Sequence, residues 1–217
     1  MPTHATPHER PHSRRGFLTK AAVATGIAWT TPVLSAVFTP ASAALASVPL
    51  QVTISGLTLV APPASVANLA NDTAASIFSE GCVLLSSPLN VDRGGATAVF
   101  GGNETAPTTI PSGTIVCSYY IRSQRLATTP AVQAGSISFG NANIVGLSYT
   151  TGNLGGSGGT NNRLGVPGTG YSPVSGSEGG DSFFSVDDLG AGTSALFVNM
   201  LTRNGGADTI RVIVTPS

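Results

Sequence analysis

From Leu50 to Thr215 the apolar residues recur at alternate positions, in short runs bounded by glycine, proline or asparagine. That period belongs to the strand, whose successive side chains point to opposite faces, and not to the helix. Thr114–Arg122 is the clearest run: Ile115, Cys117, Tyr119 and Ile121 share one face, Val116, Ser118, Tyr120 and Arg122 the other. Leu50–Ser55 alternates strictly, and the phase shifts at Gly56, which predicts a bulge there. Further strands are expected at Cys82–Leu85, Ala96–Phe100, Ser182–Val186, Ser194–Leu201 and Thr209–Thr215.

Two pairs of runs invite hairpins. Gly135–Phe139 and Asn143–Tyr149 flank Gly140-Asn141-Ala142, and the last two strands flank Asn204-Gly205-Gly206. Ser65–Ser79 is the one stretch with helical spacing, through Val66, Leu69, Ala70, Ala74, Ile77 and Phe78. Between Gly152 and Gly180 stand eleven glycines, a density expected to give a long ordered loop or flap and no regular element. About nine or ten strands with almost no helix imply an all-β fold, a β-sandwich or jelly roll.

The first 43 residues have a different character. A polar start leads to Ser13-Arg14-Arg15-Gly16-Phe17-Leu18, an apolar run follows from Ala21 to Phe38, and Ala41-Ser42-Ala43 closes it. A charged start, an apolar middle and a small-x-small end make a secretory signal. Arg14 and Arg15 ahead of Phe17 and Leu18 resemble the twin-arginine (Tat) export motif, with Lys20 one place later than usual. The expected division is a signal peptide with an N-terminal signal helix at 1–43, cut after Ala43, and one secreted domain at 44–217. The expected export partner is the Tat translocase, and the product is expected to be released with no stable membrane anchor.

Clipping at Ala43 strips the chain of reactive groups. His4, His8, His12, Lys20 and Trp29 all precede the cut. The remainder holds six scattered arginines against nine carboxylates, a net charge of −3, so no nucleic-acid partner is expected. Cys82 and Cys117 are expected to form one disulfide, as an even cysteine count in an exported chain implies. Catalytic cysteine chemistry and zinc, copper or iron sites lack the histidines they would need. No cofactor is expected.

The second half, residues 112–215, resembles a secreted bacterial β-domain of unknown function. The matching elements run in order. They are Ser118-Tyr119-Tyr120-Ile121, Gly135-Ser136-Ile137-Ser138-Phe139, Ile144-Val145-Gly146-Leu147, Leu164-Gly165-Val166-Pro167-Gly168-Thr169-Gly170-Tyr171, Glu178 with Asp181-Ser182, and Asp208-Thr209-Ile210-Arg211-Val212. Arg122 and Ser123 stand where that family often has His or Asn, and Gly152–Asn162 is richer in glycine than its pattern. The resemblance implies a fold and an extracellular or cell-surface location, and no reaction.

Several constellations invite chemistry. Gly155-Gly156-Ser157-Gly158-Gly159 fits a nucleophile-elbow spacing but has no histidine partner and no strand before it. Glu178, Asp181, Asp187 and Asp188 cluster beside the glycine run, where they form either a solvated acidic edge or a calcium or ligand site with Tyr171. Glu178 and Asp181 could also serve as the paired acids of a glycosidase. Asp208 and Arg211 flank the last strand and are expected to form a structural ion pair, Arg211 taking Asp181 or Glu178 in a bidentate grip. The functional expectation is a secreted, non-catalytic structural or interaction domain whose partner is an extracellular glycan or protein. A carbohydrate-binding module using tyrosines near the glycine run is the first alternative, and a carboxylate-based glycoside hydrolase the second.

Overall fold

The computed structural model describes residues 50–127, 129–156, 158–172, 176, 182–190, 193–202 and 206–217. The export signal (Arg14, Arg15, Phe17, Leu18), its helix, the cleavage residues Ala41 and Ala43, and the acids Glu178 and Asp181 lie outside the described residues.

The described chain is all-β. Its strands are β1 (Val52–Ser55), β2 (Thr58–Leu59), β3 (Ser76–Leu84), β4 (Leu89–Val91), β5 (Arg93–Gly94), β6 (Ala98–Gly101), β7 (Thr108–Ile110), β8 (Ile115–Gln124), β9 (Ala131–Phe139), β10 (Ala142–Ser148), β11 (Phe183–Gly190), β12 (Thr193–Thr202) and β13 (Ala207–Pro216). β4 and β7 pair as a separate ribbon, and the other eleven strands form one sheet. The sheet runs β1-β9-β12-β10-β13-β8-β3-β2, with β11 joining β12 to β6 and β5 on β10.

One register point divides this sheet into two arms. β12 meets β10 only at Ala142 opposite Thr193. On one side lie β1, β9, β12, β11 and β6; on the other lie β5, β10, β13, β8, β3 and β2. A single apolar core is filled from both: Ile137, Phe139, Phe184, Leu196 and Val198 from the first arm, Ile77, Tyr119, Ile121, Ile210 and Val212 from the second. Alternation explains the choice, since in each strand every second residue faces this core.

Alternation placed β1, β8, β9, β10, β11, β12 and β13, but it did not give their pairing. Gly135–Phe139 and Asn143–Tyr149 do not form a hairpin. β9 pairs with β1 and β12, while β10 pairs with β13 and β5. The chain passes from one arm to the other at Gly140-Asn141, held where Gly140 N donates to Gln51 O at 2.8 Å and Gln51 N to Asn141 Oδ1 at 2.7 Å. The last two strands are not hairpin partners either: β12 pairs with β11 and β9, and β13 pairs with β8 and β10. Gly56 is likewise a crossing and no bulge. β1 ends on β9, Gly56 turns at φ 69°, and β2 starts beside β3. A Cβ on Gly56 would stand 2.7 Å from Ala134 O, so no other residue fits that crossing.

Two further expectations fail for local reasons. Ser65–Ser79 is no helix. A 3-10 turn, Val66–Leu69, starts on the Ser65 side chain and stops; Asn71 Oδ1 then accepts from Thr73 N at 2.9 Å, and the chain enters β3 at Ser76. The helical spacing misleads because β3 is buried on both faces. Ile77 joins the main core, while Phe78 joins a second cluster with Val66, Leu69 and Tyr120. The predicted strand at Cys82–Leu85 is the end of this same β3, after an irregularity between Ser79 and Gly81. The glycine run, in turn, holds two helical turns, Thr151–Gly155 and Thr160–Leu164. Leu154 and Leu164 are buried, and the Thr150 side chain caps the first turn. Burial of two leucines offsets the glycine entropy locally.

The expected disulfide is present. Cys82 lies directly opposite Cys117 across the β3–β8 ladder, and the bond closes a separation of 35 residues. A loop of that size should stabilise the fold by about 3–4 kcal/mol in the chain-entropy account. Replacing both cysteines (Cys82→Ser with Cys117→Ala) is expected to lower the unfolding free energy by about that amount, read from urea denaturation.

Candidate functional site

The cluster most like an active site in composition lies on the far side of the second arm from the main core. Register sets Phe78, Tyr120 and Arg211 in one row across β3, β8 and β13. Glu80 follows Phe78 on β3, and Tyr171 packs onto the row from above, 5.2 Å from the Tyr120 ring and 6.4 Å from Phe78. Arg211 Nε donates to Glu80 Oε2 and Nη2 to Glu80 Oε1, both at 2.6 Å; Nη1 donates to Thr160 Oγ1. The Tyr171 hydroxyl donates to Glu80 Oε1 at 2.6 Å and accepts from Val166 N at 3.0 Å. The guanidinium carbon sits 5.1 Å from the Tyr120 ring centre and 5.4 Å from that of Tyr171.

Both charged side chains are wholly shielded from solvent. Burial works against the Arg211 charge, and contact with Glu80 outweighs it, holding the guanidinium charged. Burial, then the Glu80 charge beside it, pushes the Tyr171 phenol far above its ordinary range. Each polar atom named here is bonded within the cluster. The arrangement is a clamp. Thr160, Val166 and Tyr171 belong to the glycine-rich segment, and the ion pair ties that segment to three strands.

A second buried carboxylate does the same at the segment's start. Asp92 accepts from Tyr149 N at 2.6 Å, Thr150 N at 2.8 Å, Thr150 Oγ1 at 2.6 Å and Asn153 Nδ2 at 2.6 Å. Sequence reasoning singles out neither Glu80 nor Asp92. Glu80 is a lone carboxylate in the apolar strand β3, and Asp92 sits at the bend between β4 and β5; the partners lie 131 and 58 residues away.

The sequence-predicted residues fare differently. Asp208 and Arg211 lie on opposite faces of β13, as the core places Ile210 and Val212 with Asp208. The expected ion pair is therefore corrected: Arg211 takes Glu80, and Asp208 accepts from the Ser182 hydroxyl. Asp187 and Asp188 are successive in β11 and point to opposite faces, so they do not converge on one ligand. Asp187 accepts from Ser185 Oγ at 3.3 Å, and Asp188 N donates to Thr97 Oγ1 at 3.2 Å. Among the described residues no three His, Cys, Asp or Glu side chains gather as a metal would require. Tyr171, expected near a ligand, spends its ring and hydroxyl on the clamp. Arg122 bonds Gln124 and Thr209, Arg125 bonds Thr129 O, and Arg163 bonds the carbonyls of Ser87 and Pro88.

What remains available is a surface. The outer side of the second arm is roofed. Leu89, Val91 and Ile110 of the β4–β7 ribbon pack on Val116 and Ile213, while Val66, Leu69 and Tyr171 pack on Phe78 and Tyr120. The outer side of the first arm carries Val99, Val132, Phe183 and Phe197, exposed by 52%, 53%, 37% and 45%. These are four of the six large apolar residues exposed among the described residues. Register sets Val99, Ser185, Phe197, Ser136 and Ser55 in one row across all five strands. The adjoining positions are Ala134, Ser138, Asn199 and Thr53. This open face is the candidate functional site.

A comparison of the chain with family models found no match, and comparisons with curated proteins and with solved structures found none either.

Two predictions follow from the clamp and the buried phenols. Glu80→Gln leaves a buried guanidinium without its counter-charge and should cost about 3–5 kcal/mol in urea denaturation, whereas Glu80→Leu with Arg211→Met should cost well under the sum of the single changes. Burial pushes Tyr119 and Tyr149 from 10.0 to about 12 in the folded chain. The unfolded chain therefore loses those protons first, and stability present below pH 10 should fall as pH rises from 10 towards 12. Phenolate absorbance on alkaline titration, followed beside circular dichroism, checks this.

Proposed function

We propose that the chain is exported, cut after Ala43, and acts outside the cell as a non-catalytic β-sandwich domain that works by docking. The two arms filled from one core support the sandwich reading. The leader, with Arg14, Arg15, Phe17 and Leu18, supports export, and the Cys82–Cys117 disulfide suits an oxidising compartment. The observation that carries the docking role is the open face of the first arm, where Phe183 and Phe197 stand in solvent while Glu80, Asp92 and Arg211 are shut inside. Contiguous exposed apolar surface on a sheet marks an interaction site. A carbohydrate-binding role is the second reading. It moves from the tyrosines, which are engaged inside the fold, to Phe183 and Phe197, the exposed aromatic rings of the described residues.

Expression in a host with a working Tat system tests the export half. The chain is expected in the medium with Ala44 at its N-terminus, and Arg14→Lys with Arg15→Lys should keep it inside the cell. Recovery of the medium form with residue 1 intact would overturn the cleavage. The purified protein is expected to turn over no ester, peptide or glycoside in a substrate panel; turnover would overturn the non-catalytic reading.

A further inference from the structure

We infer that Arg122 anchors a binding site for a small organic monocarboxylate on the outer side of the second arm. The inference stands apart from the docking role proposed above, which concerns the other arm.

The outward positions of β3, β8 and β13 carry three charged side chains: Glu80, Arg122 and Arg211. Glu80 and Arg211 cancel one another in the clamp. Arg122 is left as a single net positive charge, and it is only 1% exposed. Ser76 and Thr209, both buried, flank it in its row. The chain after the Val66–Leu69 turn closes over this end of the strands: Ser76 Oγ donates to Leu69 O at 3.2 Å, and Asn71 N to Gln124 O at 2.8 Å.

The partners of Arg122 differ from those of Arg211. Its Nε donates to Gln124 Oε1 at 3.0 Å and its Nη1 to Thr209 Oγ1 at 3.4 Å. Both acceptors are neutral. Among the described residues no carboxylate pairs with Arg122, and Nη2 has no partner. Nη2 is not among the unpartnered side-chain atoms sealed from solvent, so the guanidinium meets solvent at that nitrogen. Water there satisfies an N–H but leaves the charge unmatched, and a charge held out of bulk water calls for an opposite one.

Charge, geometry and access together define the ligand. One net positive charge is matched by a monoanion, whereas a phosphate dianion would leave the slot negative. Both Nη2 protons and one on Nη1 remain to be bonded, which suits the two oxygens of a carboxylate. The Thr209 hydroxyl accepts from Nη1 and keeps its own proton to donate. With so little of Arg122 open, the carboxylate has to arrive on a small molecule and not on the flank of a polymer.

Thermal melting of the full chain at pH 7, in sodium acetate against sodium chloride at equal ionic strength, tests the inference. With a dissociation constant of about 1 mM, about 100 mM acetate is expected to raise the melting temperature by about 5 °C over chloride. Arg122→Met removes the charge and is expected to abolish that difference. Gln124→Glu sets a carboxylate of the same shape beside Nε; it is expected to melt above the wild type in chloride and to lose most of the acetate shift. If Arg122→Met fails to fold, Gln124→Glu decides alone. A wild-type chain that melts alike in both salts, as it would if a carboxylate of its own met the charge, overturns the inference. So does an acetate shift that survives Gln124→Glu, which would place the anion elsewhere, or a larger shift with inorganic phosphate.

Discussion

A guanidinium with no route to water has to be matched where it stands, and much of this fold is arranged around that requirement. Arg211 finds both oxygens of Glu80, the hydroxyl of Thr160 and the faces of two tyrosine rings. Removing a charge from water is so costly that such a pair adds little net stability by itself, but it admits few alternatives. Its consequence is positional. With Glu80 on β3, Arg211 on β13, and Thr160 and Tyr171 in the glycine-rich segment, the pair fixes where that segment lies on the sheet.

The described part of the glycine-rich segment, up to Tyr171, is therefore a roof over the sheet. Asp92 anchors its start and the Glu80–Arg211 pair its middle, and Leu154 and Leu164 are buried along it. Together with the β4–β7 ribbon and the Val66–Leu69 turn, it covers the outer side of one arm. The other arm receives no such cover from the described residues around Phe197, and there the chain presents phenylalanine, valine, alanine and serine side by side. One outer face closed by buried charges and the other left uncovered by the described residues around Phe197 is the asymmetry on which the functional reading turns.

Chemistry follows the same division. Several of the described carboxylates and arginines are engaged by the backbone or by one another: Asp92 by the Tyr149–Asn153 turn, Arg163 by Ser87 and Pro88, Glu80 by Arg211. Groups so engaged hold a scaffold. The Leu164–Tyr171 and Asp208–Val212 stretches meet at this clamp, where Tyr171 and Arg211 both bond Glu80.

The sequence by itself determined the strand class, the disulfide and the faces. Period-two alternation in Thr114–Arg122 assigned Cys117, Tyr119 and Ile121 to one side, and the core holds them there. It could not choose strand partners, because alternation specifies a face and is silent on the neighbour; β9 and β10 read as a hairpin yet belong to different arms. It could not separate a helix from a doubly buried strand at Ile77 and Phe78, since apolar residues on both faces erase the period. The partners of Arg211 and the bareness of Phe197 were decided only in three dimensions. Each depends on contacts between residues far apart in the chain, and local spacing carries no record of which distant carboxylate a buried cation will meet or which sheet face a loop will cover.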